Sequence, residues 1–483
     1  RRAAGMGCEC QDESAGSSSS TDEPAEQQDL RFTEPTAIRM RFFNFNMANI
    51  AALDPFIGMF GQFLSQPFAD GSPVDVAFVS LTEARFKMRV FVEDQLELWK
   101  RAPAASGIDT LTHRDALRKR AAARSFNPFT WCRKKLVQHV VGNVKTVLGF
   151  RKEVFETDAQ DARLKSVFTL NPEKAFLGSA IARRADQLRL CFFGTHFPMR
   201  RLQTVLSSVL ETSQKLLAAK IVYARVLREV LCKAQGWGLT QPNTVIFIQG
   251  DLNSRTIFDD HDSGSRAKDV LLEVLNDMDL MAAMALDLRL PPGRWHEVVP
   301  FTGVNEMPVT YKVDPKMCVA RQITVGDILT RVHDPAQKAP TPRDPTRQLA
   351  SVHRREFGHE WGLRQDPAKV KPSHFPAFTE RVIYWASDAL ASQMSWVLPS
   401  GGYETLGHID GSDHRPVALE ALLVLGPGIR SLPPMPPPDS AEVQDLAAKL
   451  ANRNFLEKLI CISEWGPDDS DDDESAIRAS EWY

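Results

Sequence analysis

The chain has 483 residues, 43% of them hydrophobic and 25% charged, with a formal net charge of −3. That composition suits a globular core, and so small a net charge gives no overall field to draw the chain to nucleic acid. Its seven cysteines are scattered, odd in number and without a repeated zinc spacing, which points to reduced thiols in a reducing compartment rather than a disulfide frame.

The length leaves two arrangements open, one large catalytic domain with insertions or two domains. No apolar run reaches the roughly 18 residues that would span a bilayer. Residues 1–36 are rich in Ser, Asp, Glu and Gln, and read as a disordered leader. The opening "RRAAGMGCEC" lacks the apolar core of a signal peptide. Were translation to begin at Met6, Gly7 could be acylated and Cys8 and Cys10 palmitoylated, but Gln11 stands where the myristoylation pattern wants Ser or Thr.

Folded sequence is expected over 37–428. "AIRMRFFNFNM" alternates and is aromatic, as a strand should be, and carries Asn46 near its end. "VDVAFVSLTE" is a second strand, ending on Glu83. The segment 92–150 reads as an insertion, and its stretch 113–151 is basic, with Phe129 and Trp131 interleaved. It is either a solvated helical insertion or a surface for peripheral contact with anionic lipid.

"LRLCFFGTHF" is a third strand, ending on His196. The spacing of apolar residues then predicts one long amphipathic helix over 200–233. "NTVIFIQGDLN" is a fourth strand, ending on Asp251 and Asn253. Residues 315–375 read as a second, mostly irregular insertion. "PVALEALLVL" is a late strand preceded by Asp413 and His414. Over 429–483 follow a Pro-rich linker, a helix with Ser440 as its N-cap, and an acidic tail.

The order of elements is that of a mixed α/β domain. Asn46, Glu83, His196 and Asp251 each fall at or near the C-terminal end of an apolar strand, where a rigid scaffold presents reactive groups. Any one of them reads as a strand-capping polar residue. The same placement in all four is hard to explain as capping.

"FNFNMAN", "SLTEAR", "GTHF", "QGDLNSR" and "GSDHRPV", in that order, resemble the endonuclease/exonuclease/phosphatase superfamily. "PVTYKVD" (308–314) and "PAFTERVIYWA" (376–386) resemble the "PTYKYD" and "PAWCDRILW" segments of its inositol polyphosphate 5-phosphatases. The resemblance implies an α/β fold, a four-layer α/β/β/α sandwich, and Mg²⁺-dependent hydrolysis of the 5-phosphate of phosphoinositides or inositol polyphosphates. It implies Asn46 and Glu83 as metal ligands, with Asp413 joining through water. Asp251 would orient and deprotonate the attacking water, Asn253 would donate to a phosphoryl oxygen, and His196 and His414 would donate to the developing charge. Glu380 would fix the His414 tautomer, and Tyr311, Lys312 and Arg381 would hold a neighbouring ring phosphate. A cytoplasmic enzyme, peripheral at membranes and with no nucleic-acid partner, is the corresponding expectation.

Departures from the family pattern are Ile248 for Trp, Ser254 for Tyr, Glu380 for Asp, and "AFLGSAIA" for "GNKGGVAI". They bear on substrate affinity more than on the hydrolytic core. Two other readings use the same residues: a phosphodiesterase or nuclease of this fold, and a catalytically weak relative that binds inositides through its basic insertion. "TYK" and Arg381 argue against the first, and intact Asp251, Asn253, His196 and His414 against the second.

Overall fold

The computed structural model describes Phe32 and residues 35–48, 66–84, 108–112, 144–158, 165–168, 174–258, 267–313, 322–327, 377–406 and 412–460, apart from isolated positions within these ranges. The strands run β1 (Thr36–Asn46), β2 (Val76–Thr82), β3 (Ile108–Thr112), β4 (Lys145–Arg151), β5 (Phe155–Thr157), β6 (Lys165–Val167), β7 (Ala175–Arg183) and β8 (Arg189–His196). After helices α1 (Arg200–Ser207) and α2 (Thr212–Gly236) come β9 (Thr244–Asp251), β10 (Thr256–Phe258) and β11 (Ala267–Asp269). Helices α3 (Val270–Leu275) and α4 (Met278–Ala285) precede β12 (Gly293–Glu297) and β13 (Glu380–Ser387). The chain closes with α5 (Asp388–Ala391), β14 (Met394–Val397), β15 (Glu404–Thr405), β16 (Val417–Leu425), α6 (Ala441–Ala451) and α7 (Phe455–Ile460).

Two mixed sheets result. The first has the order β14-β16-β1-β2-β4-β3, with β15 on β16; the second has β12-β13-β9-β8-β7-β5, with β6 on β7. They meet through their aromatic faces. Phe42 and Phe78 of the first sheet pack on Phe192 and Phe247 of the second, with ring centroids 5.3–6.4 Å apart across the interface. The second sheet turns its other face, with Phe193, Ile246, Ile248, Ile383 and Trp385, to the helices, chiefly α2. Burying some thirty large apolar side chains in each of these two layers is the main stabilising term, at about 25 cal/mol per Å² removed from water. This is a mixed α/β sandwich of two facing sheets with helices on the outer face of the second. The described residues form three of its layers; the expected fourth, helices on the outer face of the first sheet, lies outside them.

Several expectations are corrected. The segment 92–150 is not wholly an insertion: β3 and β4 pair with each other and with β2 inside the first sheet. Lys145 is buried there and Arg151 bonds Asp75, so the end of the basic stretch is core strand rather than surface. The remainder, 113–143, lies outside the described residues, as do the acidic tail and most of the leader; at the leader's end Phe32 is buried in the core and Thr36 opens β1, so those positions are folded rather than disordered. Within 315–375, residues 322–327 return to the core, with Ile323 and Val325 buried and bonded to Val309 and Met307. The helix over 200–233 is two helices, α1 and α2. Ser and Thr crowd the junction, and Ser208 Oγ donates to the Val205 carbonyl at 2.6 Å, competing with the helical ladder. "AFLGSAIA" is part of strand β7 and buried throughout.

The strand limits over 37–47, 74–83, 188–197, 243–253 and 416–425 agree with β1, β2, β8, β9 and β16 to within two residues. Ser440 caps α6, accepting from Val443 N at 3.2 Å. Val443, Leu450 and Leu456 then bury themselves against the helical layer, so the segment after the Pro-rich linker is packed onto the domain. Among the described residues no helix is long and apolar enough to cross a membrane.

Candidate active site

Alternation along the strands grades the space between the sheets. Met40 and Phe42 of β1, Val76 and Phe78 of β2, Leu190 and Phe192 of β8, and Val245 and Phe247 of β9 point into the apolar core. Two residues on, the same faces carry Asn44, Ser80, Gly194 and Gln249. Two further, they carry Asn46, Thr82, His196 and Asp251. The middle tier is a polar floor. Asn44 Nδ2 and Oδ1, Ser80 Oγ and Gln249 Oε1, and Thr82 Oγ1 in the tier beyond, are buried without a protein partner among the described residues, the kind of group that ordered water satisfies.

Register does the assembling. Parallel pairing of β8 with β9 sets His196 beside Asp251, and antiparallel pairing of β9 with β13 sets Glu380 across from Asp251. Gly250 allows the closest approach: a Cβ there would stand 1.8 Å from the Thr195 carbonyl oxygen, at a φ of +156°. Tyr311 bridges His414 and Ala377 between the sheet ends. Of the five non-glycine residues with positive φ among the described residues, Ala48, Glu83, Asn253 and Lys312 lie in or beside this site. Backbone strain so concentrated is a mark of a functional site.

Asp251, 1% exposed, is the hub. Its Oδ2 accepts from Asn46 Nδ2 at 2.8 Å and lies 3.4 Å from His196 Nε2, while Oδ1 accepts from Asn253 N at 2.9 Å. Burial pushes its carboxyl up, but His414, His196, Arg255 and the Asn46 bond outweigh that and hold it below the usual carboxylate range. His196 goes the other way: burial and then Lys174 push it down to about 3, so it is a neutral imidazole near pH 7.

Glu380 Oε1 stands 2.5 Å from His414 Nδ1, and its Oε2 accepts from Thr379 Oγ1 at 2.7 Å. The longer acidic side chain therefore reaches the imidazole. Burial pushes Glu380 up and His414 down. Facing each other at this distance they form an ion pair, and Glu380 with Asp251 raises His414 to about 9. Its Nε2 points back to the hub, 3.4 Å from Asn46 Nδ2 and 3.9 Å from Asp251 Oδ2. Asp251, Glu380 and His414 offer atoms within 4.8 Å of one another. With His414 protonated, as it stands without a bound cation, the trio is arranged as a proton-donor assembly.

Glu83 fits a hard cation better. Its Oε1 has only long contacts, 3.6 Å to Lys174 Nζ and 3.6 Å to His196 Nδ1. Burial pushes its carboxyl up and Lys174 pulls against that; 29% side-chain exposure lets solvent temper the push. Asn46 Oδ1 accepts from Ala48 N at 3.0 Å and keeps a lone pair. An anionic carboxylate short of partners and an amide oxygen at one strand end are the oxygen donors that Mg²⁺ takes.

Asn253 spends one amide hydrogen on the Phe197 carbonyl at 2.8 Å and retains the other. Asp413 and Lys312 face each other, Oδ2 to Nζ 3.2 Å, both about one-fifth exposed at the site's edge. Tyr311 lies beside them, its ring 4.7 Å from that of His414.

Arg381 does not belong with these. It is fully buried, with Nε and Nη2 on Glu297 at 2.7 and 2.6 Å and Nη1 on Asp269 at 2.5 Å. Expected as a cation for a ring phosphate, it is a fully buried structural tie, its charge already met by Asp269 and Glu297. Ser254 belongs to the same tie: its Oγ donates to Asp269 Oδ2 at 2.6 Å.

Two residues escaped the sequence reading. Lys174, just before β7, puts Nζ 3.0 Å from His196 Nε2, a cation at the start of the segment that departs from the family pattern. Arg255, buried beside Asn253, lays its guanidinium 4.0 Å over the Tyr311 ring. Its place in "GDLNSR" was the available signal.

No family model matches the chain, and no curated protein matches it. Among solved structures it is similar to the inositol polyphosphate 5-phosphatase domain of SPsynaptojanin in complex with inositol (1,4)-bisphosphate and calcium ion, at 15% identity and TM-score 0.35, covering 88% of this chain and 93% of that one. An endonuclease/exonuclease/phosphatase family protein from Bacteroides thetaiotaomicron matches at 10% identity and TM-score 0.34, covering 81% and 96%. Cimex nitrophorin matches at 10% and 0.37, covering 80% and 99%. At such identities and scores the likeness adds nothing about activity, which rests on the residues themselves.

Proposed function

We propose that the protein is a Mg²⁺-dependent phosphoric monoester hydrolase that removes the 5-phosphate of inositol polyphosphates or phosphoinositides. The observation that carries this reading is the convergence, at the polar end of both sheets, of an ionised Asp251, a neutral His196 and a protonated His414. Each oxygen of Asp251 already accepts one protein donor and has capacity for a water. That water is oriented for in-line attack on phosphorus, and its proton passes to the carboxylate as the new P–O bond forms. His414, kept charged by Glu380, donates Nε2–H to the oxygen on which negative charge grows, and the free amide hydrogen of Asn253 serves a second oxygen. Glu83 and Asn46 would hold Mg²⁺, which when bound supplies Lewis-acid neutralisation of the phosphate charge. The P–O bond to the ring breaks, the leaving oxygen takes one proton from solvent and Asp251 releases the one it accepted, giving an inositol hydroxyl and inorganic phosphate. Lys312 and Tyr311, at the site's edge, are the groups placed for a neighbouring ring phosphate.

The test is phosphate release, with and without Mg²⁺, from soluble inositol phosphates, phosphoinositide vesicles and a nucleic-acid substrate. Release from the inositides alone is expected. Glu83→Gln should need more Mg²⁺ for half-maximal rate. Cleavage of nucleic acid in preference to inositides would overturn the reading.

A further inference from the structure

We propose that Arg255 is a positioning residue for the phosphorylated ligand: its buried, uncompensated guanidinium ties Asn253 to Tyr311 and supplies the positive charge against which a phosphate docks. This rests on the hydrolase reading for the ligand's chemistry, a phosphate dianion, but not for the charge itself.

Four other buried arginines in the described structure are neutralised. Arg41 pairs with Glu420, Arg183 with Asp186, Arg294 with Asp388, and Arg381 with Asp269 and Glu297. Arg255 is as buried, at 2% exposure, yet has no carboxylate within ion-pair distance among the described residues. Nε and Nη1 are without a hydrogen-bond partner, and only Nη2 is used, donating to Asn253 Oδ1 at 3.2 Å. An isolated buried ion is costly to a fold, so a charge kept this way is expected to meet its counter-ion from outside.

The neighbours say where. On one side Arg255 fixes Asn253, whose left-handed backbone, φ +52°, presents the spare amide hydrogen. On the other it stacks on Tyr311, whose ring contacts His414. It thus joins the hydrolytic side of the site to the side carrying Lys312. Its charge is also among those that depress Asp251 and His196.

The experiment compares the wild type with Arg255→Met and Arg255→Lys, using inorganic phosphate as probe and the thermal unfolding midpoint as readout. Phosphate should raise the wild-type midpoint, and half-saturation should need about tenfold more phosphate in Arg255→Met, the scale of one charge-assisted hydrogen bond. Without phosphate the Met variant should unfold no lower than the wild type, since a structural tie would lose stability and an uncompensated charge would not. With an inositide substrate, kcat/KM should fall and the acid limb of the pH profile should move up.

Arg255→Lys keeps the charge but not the planar stack, and should lie between the other two. Should the Met variant fail to fold, at least a threefold rise in half-saturation for Lys is the requirement. Equal phosphate half-saturation in wild type and variants, or no phosphate protection of the wild type, would overturn the proposal. Phosphate protection that depends on Arg255 in a protein inactive on every inositide would instead overturn the substrate reading and leave Arg255's role standing.

Discussion

Glu380→Gln tests the proton-donor assembly directly. The substitution keeps the length of the side chain and its contact with Thr379, but replaces the anion 2.5 Å from His414 Nδ1 with a neutral amide. His414 stands at about 9 against an ordinary value of 6.5, a difference that corresponds to about 3 kcal/mol at ~1.4 kcal/mol per unit. With Glu380 neutralised, only Asp251 and Asp413 oppose burial, and the imidazole should fall towards its ordinary 6.5. At pH 8 the protonated fraction then falls from about nine-tenths to about three-hundredths, a ~30-fold loss of the donor form. The assay is kcat/KM for phosphate release from pH 5 to 10. The wild type should lose activity only above about pH 9, and the variant should lose it some two units lower while recovering much of its rate near pH 5.5. A basic limb at the same pH in both proteins would refute the assignment. Stability supplies an independent sign. The raised His414 contributes stability that is complete below about pH 6.5 and lost as pH rises through about 9; Glu380→Gln removes that dependence. His196, lowered to about 3, works oppositely, its contribution present above about pH 6.5 and lost as pH falls towards 3, and the variant should leave that limb in place.

Asp251→Asn should reduce kcat by at least about a hundredfold with the unfolding transition retained, and more than a tenth of wild-type kcat would contradict its role. Lys312→Ala should cost about 1.5–3 kcal/mol in kcat/KM on a 4,5-bisphosphate and little on a 5-monophosphate; equal losses on both would reduce Lys312 to the structural partner of Asp413. Arg381→Met leaves Asp269 and Glu297 buried and unpaired, so urea unfolding should show a loss of about 3–5 kcal/mol. A loss below about 1 kcal/mol would mean that the tie is incidental.

Why some of this is legible in the sequence is a matter of range. β1, β2, β8, β9 and β16 announce themselves because each is apolar, β-branched or aromatic and bounded by polar residues, Gly or Pro, all local properties. The polar residues at their ends could be read for the same reason. What local pattern cannot give is the partner. Arg381 sits in a motif that suggested a ligand cation, but its orientation is decided by Asp269, 112 positions away, and Glu297, 84 away. Lys174 looked like a residue before a strand because nothing in "PEKAF" signals that β7 pairs beside β8 and brings it to His196. β3 and β4 are short and flank a strongly basic segment, whose charge pattern dominates the local signal. The break at 208–211 was locally written, in its serines, but was outvoted by the apolar period on either side.

The grading of the strands from aromatic to polar divides labour along each one. In β1, β8 and β9 the dry stretch and the working stretch are parts of a single continuous ladder, separated by one tier of small or amide side chains. Substitutions there sort by depth: those among the phenylalanines are felt as foldedness, those at the tips as chemistry, and the tier between insulates one from the other. Such a fold can change what its rim does without renegotiating its core, and a core mutation that spares the ladder leaves the rim's geometry intact. The exposure runs the other way for register. Because each strand carries both functions on one face, a two-residue slip that keeps the alternation would deliver Asn44 and Gln249 to the rim in place of Asn46 and Asp251, a protein still folded and chemically silent.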